Sequence, residues 1–194
     1  MHPVCAIVGL GNPGSEYAQT RHNIGFHILD ALAASQKAVF KDVSKFEASA
    51  CQVSMGESSI WLVKPLTFMN RSGRCIGPMA RYYKWLPEQI IVVYDEITLD
   101  PGRLKLAVRG SAGGHNGIAD ILTHLGNGFV RFRVGIGPKT HAEMDLADHV
   151  LGKFTETDQA WVQEHTPHYL NALQLIVRQG TEVAMNRLNQ KPSK

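Results

Sequence analysis

Two apolar runs constrain this chain more than any other feature. Ile90-Ile91-Val92-Val93-Tyr94 is apolar without a break, and Val4 to Leu10 is a second short run, interrupted only by Gly9. A strand with no polar face must be covered on both sides, which places it inside a layered α/β domain rather than at a sheet surface. Periodicity predicts a helix from His22 to about Ser35, where Ile24, Ile28, Ala31 and Leu32 recur at helical spacing. Phe46–Val53 and Leu104–Val108 alternate and read as strands with one exposed face. Ile60–Val63 is a strand stopped by Pro65, and Val130–Ile136 is another. Further helices are predicted over Asn70–Trp85, with Asn70 as N-cap, and over His115–Leu125. A helical tail spans about 155–189 and breaks near Pro167 and Gly180. The polar stretch Pro138–Asp145 reads as a mobile loop. The expected fold is a single-domain (1–194) three-layer α/β/α sandwich around a twisted, mixed β-sheet.

Composition excludes several classes. Hydrophobic residues make up 44% of 194 residues, enough for a core, so disorder is excluded. Cys5, Cys51 and Cys75 are odd in number and lack C-x-x-C spacing, as in a reduced intracellular protein. The first residues carry no basic segment of the signal-peptide kind. No apolar run approaches the ~18 residues a membrane helix needs. The expectation is a cytoplasmic protein with no membrane partner. A net charge of +3 permits a polyanionic partner without requiring one.

In open α/β sheets, ligands sit beyond the carboxyl ends of the strands. Three such ends here lead into Asn12, Asn70 and Asp95. His22 opens the first helix. The turn Gly110-Ser111-Ala112-Gly113-Gly114 leads into His115 and Asn116, and its N–H groups are available to an anion or a carbonyl. An imidazole held by a carboxylate can take a proton from water. Amide side chains can bind a carbonyl and donate to a developing oxyanion. The set suits acyl transfer to water.

Competing motifs fail. Gly9-Leu10-Gly11-Asn12-Pro13-Gly14 matches G-x-G-x-x-G, but Pro13 and the polar Ser15–Arg21 delay the helix. No second strand ends in an acid ~20 residues later, since Asp30 lies within the helix. Ser111 falls second in its motif, so there is no G-x-S-x-G elbow. No P-loop occurs. His165 and His168 straddle Pro167 without a metal-ligand partner set, and no metal site is expected. Arg103, Lys105 and Arg109 on or beside one strand, and Arg131 and Arg133 on another, form two strips able to meet phosphates. Tyr17 and Phe68 flank the site and can stack on a base or pack a sugar, with core packing the other reading for Phe68. Arg81, Tyr82, Tyr83 and Lys84 read as a surface face.

At these residues the sequence resembles the bacterial-type peptidyl-tRNA hydrolase family. The resemblance is carried by Val8–Gly14 with Tyr17, Thr20-Arg21-His22-Asn23-Ile24-Gly25, Lys64–Gly73, Asp95-Glu96, Gly110–Gly117, Arg131–Gly137 and Val150–Phe154, in family order. It implies a monomer that hydrolyses the ester joining a peptide to the terminal ribose of tRNA, recycling tRNA from stalled translation. It implies His22 as general base, oriented by Asp95, and Asn12 as discriminator of N-blocked substrates. Tyr17, Phe68, Met69, Asn70, His115 and Asn116 would contact the acylated end, and Arg103, Lys105 and Arg133 the tRNA phosphates. Pro138–Asp148 matches a lid. No cofactor is implied. One departure is Ala107, where relatives commonly carry a basic residue. Two other readings remain: a catalytically silent RNA-binding relative, and an esterase or amidase for small N-acyl compounds.

Overall fold

The computed structural model describes residues 3–139, 141 and 143–190. The two apolar runs become β1 (Ala6–Gly9) and β5 (Ile90–Glu96), adjacent and parallel at the centre of the sheet. Around them lie β2 (Lys41–Val43), β3 (Ala48–Met55), β4 (Ser58–Pro65), β6 (Leu104–Ala107) and β7 (Val130–Gly135). The order is β2-β3-β4-β1-β5-β7-β6. The four central strands β4, β1, β5 and β7 run parallel, and β2, β3 and β6 are antiparallel to their neighbours. The mixed sheet read from alternation is therefore the one observed, with antiparallel strands at both edges.

Helices cover both faces. On one side lie α1 (Ile24–Ser35), α4 (Leu146–Leu151), α5 (Glu156–Gln179) and α6 (Thr181–Leu188), burying Ile28, Leu29, Tyr169, Leu173, Ile176 and Ala184 with Ile7, Ile91 and Phe132. On the other lie α2 (Ser72–Tyr83) and α3 (Asn116–Leu125), burying Ile76, Met79, Ile118 and Ile121 with Val8, Val92 and Phe129. Three layers result because each sheet face carries its own apolar half.

Several boundaries differ from expectation. Arg21–Asn23 form a 3₁₀ turn, and α1 starts only at Ile24, so His22 precedes the helix. Asn70 does not cap α2. It lies inside a second 3₁₀ turn, Met69–Arg71, while Asp120 of α3 accepts the N–H groups of Gly73 and Arg74. Pro167 does not break α5, which runs unbroken to Gln179. The buried stripe Tyr169, Ala172, Leu173 and Ile176 outweighs the ~3 kcal/mol a proline costs inside a helix. β2 and α4 had not been expected. The loop predicted over 138–145 contains residues 140 and 142, which lie outside the described residues, and α4 begins directly after it.

Candidate active site

β1, β4 and β5 end at the same edge of the sheet, and the turn carrying His22 is pressed against that edge. The close approach needs two glycines. A Cβ on Gly9 would lie 2.4 Å from the Gly25 carbonyl oxygen, and one on Gly25 would lie 2.5 Å from the Leu10 nitrogen. Asn23 then locks the turn to the loop after β1: its Oδ1 accepts from Asn12 N–H (2.8 Å) and its Nδ2 donates to Asn12 O (2.9 Å). From outside, Arg21 N–H donates to Gly152 O (3.1 Å), and the Arg21 guanidinium pairs with Asp158 at 2.8 Å.

Asp95 is 3% exposed and faces two imidazoles. His22 Nδ1 lies 2.8 Å and His115 Nε2 3.1 Å from its Oδ1. The network assigns the tautomers. Ile118 N–H points at His115 Nδ1 (3.3 Å), making Nδ1 an acceptor and Nε2 the protonated donor. His115 is thus both N-cap of α3 and a support for Asp95. Burial, the largest single influence, pushes the Asp95 pKa up. The His22 and His115 imidazoles, through charge and hydrogen bonds, together more than reverse it, so the carboxyl stays below the usual range. With Nδ1 of His22 committed to Asp95, Nε2 is the atom left for the cleft, which the ring lines with its side chain 11% exposed.

The cleft has a volume of about 780 Å³. Asn12, Met69, Asn70, Asp95, His115 and Asn116 line it with His22. Asn12 Oδ1 accepts from Met69 N–H at 2.7 Å, so its amide nitrogen is the group it can offer a ligand. Asn70 and Asn116 are exposed at the rim. Phe68 is 53% exposed and lines the cleft, with the Tyr17 ring edge-on to it at 6.2 Å.

Lining residues that sequence reasoning missed are Tyr94 and Ile97 on and after β5, and Val150 and Leu151 on α4, while Leu146, which also lines the cleft, falls in the segment expected as a lid. The signal for α4 was present: Asp145 caps the helix, accepting from Ala147 N–H, and apolar residues follow at 146, 150 and 151. Nothing local marked Tyr94, which sits in an apolar run yet turns its ring edge-on to His115 at 4.9 Å.

The basic strips separate. Arg103, Lys105 and Arg109 are exposed and outside the cleft's lining, and of the three Arg103, just before β6, lies at the cleft's edge of the sheet. Lys105 sits opposite Arg133 in register, and Arg133 bonds Glu96 at 3.1 Å. Arg131 does not belong to a phosphate strip: it is 4% exposed, with its guanidinium turned inward.

Among the described residues, His22, Asp95 and His115 are the group whose ligand atoms lie close enough to hold a metal, within 4.8 Å of one another. Each nitrogen already points at one carboxylate oxygen at hydrogen-bond distance, so an ion would have to displace both protons. His165 and His168 take no part in such a group.

A layered α/β sheet whose strand ends gather an imidazole–carboxylate pair and amide donors in an open cleft defines a protein built for hydrolytic acyl chemistry. A family model described as Peptidyl-tRNA hydrolase matches residues 6–194. The peptidyl-tRNA hydrolase of Nitrosomonas europaea is 41% identical over 188 residues, covering 96% of each chain. That of Agathobacter rectalis is 45% identical, covering 94% of this chain and 98% of its own. The crystal structure of peptidyl-tRNA hydrolase from Acinetobacter baumannii superposes with a TM-score of 0.91 at 39% identity over all of both chains. This chain belongs to the peptidyl-tRNA hydrolase family.

Proposed function

We propose that this chain hydrolyses the ester of peptidyl-tRNA to free tRNA and peptide, with His22 as general base. One observation carries the reading: the 2.8 Å bond from His22 to a buried Asp95, inside a cleft that solvent enters. Asp95 fixes the His22 tautomer and leaves Nε2 to take a proton from the attacking water. The imidazolium that forms is stabilised by the same carboxylate. Asn12 offers N–H to the acyl part of the substrate, and Asn70 and Asn116 are placed to meet the developing oxyanion. Met69 and His115 complete the wall, and Phe68 with Tyr17 packs against the terminal nucleotide or the peptide. Arg103, Lys105 and Arg133 contact acceptor-stem phosphates, and Arg103 or Arg109 supplies the charge missing at Ala107. The protein acts as a cytoplasmic monomer and recycles tRNA. Among the described residues no helix is long and apolar enough to cross a membrane.

A silent RNA-binding relative has no use for an intact His–Asp pair bonded in this way, and a small-ester hydrolase has no use for the basic edge. Turnover of N-acetylaminoacyl-tRNA, compared with a minimal N-acyl ester, separates the three. The expected result is fast hydrolysis of the tRNA substrate, with His22→Ala slower by about 10²–10⁴-fold. Full activity in that variant refutes the base assignment.

A further inference from the structure

The glycine-rich segment that delivers His115 and Asn116 has little of its own to hold it. Gly110, Gly113 and Gly114 adopt positive φ (+143°, +60° and +83°), and a Cβ on either of the last two would meet nothing within 4 Å. Such a segment loses much backbone entropy on ordering and gains little packing in return. Yet His115 must keep its 3.1 Å hydrogen bond to Asp95, and Asn116 must keep its place in the lining of the cleft.

We propose that Arg131 is the positioning residue for this loop, an internal clamp that fixes the Gly110–Ser111 backbone and so holds His115 and Asn116 in the cleft. Its guanidinium donates short bonds from Nη1 to Ser111 O and from Nη2 to Gly110 O, and Nη2 also reaches Asn127 Oδ1 at 3.2 Å. One planar group therefore ties the entry of the loop to the segment that leaves α3. The whole stretch from Gly110 to Asn127, with α3 inside it, is pinned at both ends. The inference rests on the hydrolytic reading above.

Three features favour this over a filler role. Among the described residues no carboxylate pairs with Arg131, and its Nε has no partner. A buried cation held without a carboxylate partner is costly compared with an apolar side chain of similar volume. The residue directly across β6 is Ala107, whose methyl leaves the guanidinium a short path over the strand to the loop. A long basic side chain at 107 would compete for that path and for the same carbonyls. Finally, the guanidinium lies over the Phe129 ring, 5.1 Å from its centroid, and close enough to Tyr94 to oppose the effect of burial on that phenol. Tyr94 in turn packs on His115, so the clamp touches the site by a second path.

The test uses the full chain and three variants. Arg131→Met keeps bulk and removes every donor, and Arg131→Lys keeps the charge and part of the donor set. Phe132→Leu perturbs the same strand from its opposite, fully buried face and serves as the stability control. Arg131→Met is expected to lower kcat by about 10–100-fold, the scale of an ångström misplacement, with KM and its salt slope unchanged. Arg131→Lys should fall between it and wild type. Amide hydrogen exchange over 110–117 should speed up in Arg131→Met and stay at the wild-type rate in Phe132→Leu. The clamp is overturned if Arg131→Met keeps kcat within twofold. It is overturned equally if Phe132→Leu loses as much kcat at the same drop in Tm, or if the Arg131 loss lies in KM with a flattened salt slope, which marks a phosphate contact. If Arg131→Met fails to fold, the exchange and kcat of Arg131→Lys decide. If wild-type protein hydrolyses no peptidyl-tRNA, the functional reading fails by itself, and loop exchange still decides the clamp.

Discussion

Replacing Asp95 by Asn isolates the charge of the pair with minimal change of shape. The carboxylate oxygen that accepts from His22 at 2.8 Å also accepts from His115 at 3.1 Å. An amide oxygen turned to the same place keeps both hydrogen bonds but stabilises no imidazolium. The two charge centres would stand about 4 Å apart in the transition state, and at an effective dielectric of 20 their attraction is about 4 kcal/mol. At 1.36 kcal/mol per decade, the expected loss in kcat is about 10³-fold. Substrate binding does not use this charge, so KM should change little. Single-turnover hydrolysis of N-acetylaminoacyl-tRNA under saturating enzyme reads the chemical step, and a filter-binding titration reads affinity. A loss of less than about tenfold in the chemical step, with the fold intact by circular dichroism, would refute the electrostatic argument.

Asn12→Asp keeps the acceptor that holds Met69 N–H and removes the donor that faces the cleft. Its discrimination between N-acetylated and free aminoacyl-tRNA should fall by more than its Tm does. Lys105→Ala and Arg133→Ala should each raise KM and flatten its salt dependence by about one charge, and an unchanged slope removes that residue from the phosphate contact. Burial pushes the Cys75 thiol from 9.0 up to about 12. A raised acid holds its proton more tightly when folded, so its contribution is whole below pH 9 and fades as pH rises toward 12. Thermal melts should therefore fall across that window in wild type, and fall less steeply in Cys75→Ala.

Much of the fold was legible because its signals are local. A short apolar run rich in β-branched residues, such as Ile90–Tyr94, reads as an interior strand, and alternation at 46–53 and 104–108 marked strands with an open face. Strand ends then pointed to Asn12, Asn70 and Asp95, the start of the first helix to His22, and the glycine-rich turn 110–114 to His115 and Asn116. The errors arose where a local rule met a long-range contact. Asn70 looked like a cap, but Asp120, 47 residues beyond Gly73, does the capping. Pro167 looked like a break, but the stripe from Tyr169 to Ile176 holds the helix on the sheet.

What the sequence by itself determined is which residue types stand at which strand ends, together with the layered α/β class, because apolar spacing and turn chemistry act over a few neighbours. The tertiary structure alone decided that His22 and His115 share one oxygen of Asp95, and that Asn23 rather than a helix cap locks the His22 turn. It also decided the opposite fates of two arginines on one strand face. Arg133 meets Glu96 near the open edge, while Arg131 lies across from Ala107 beneath a loop that needs its donors. Alternation tells a side chain which face to take. Which partners wait on that face depends on strand register and on loops closing over many residues, and those become fixed only when the whole sheet is assembled.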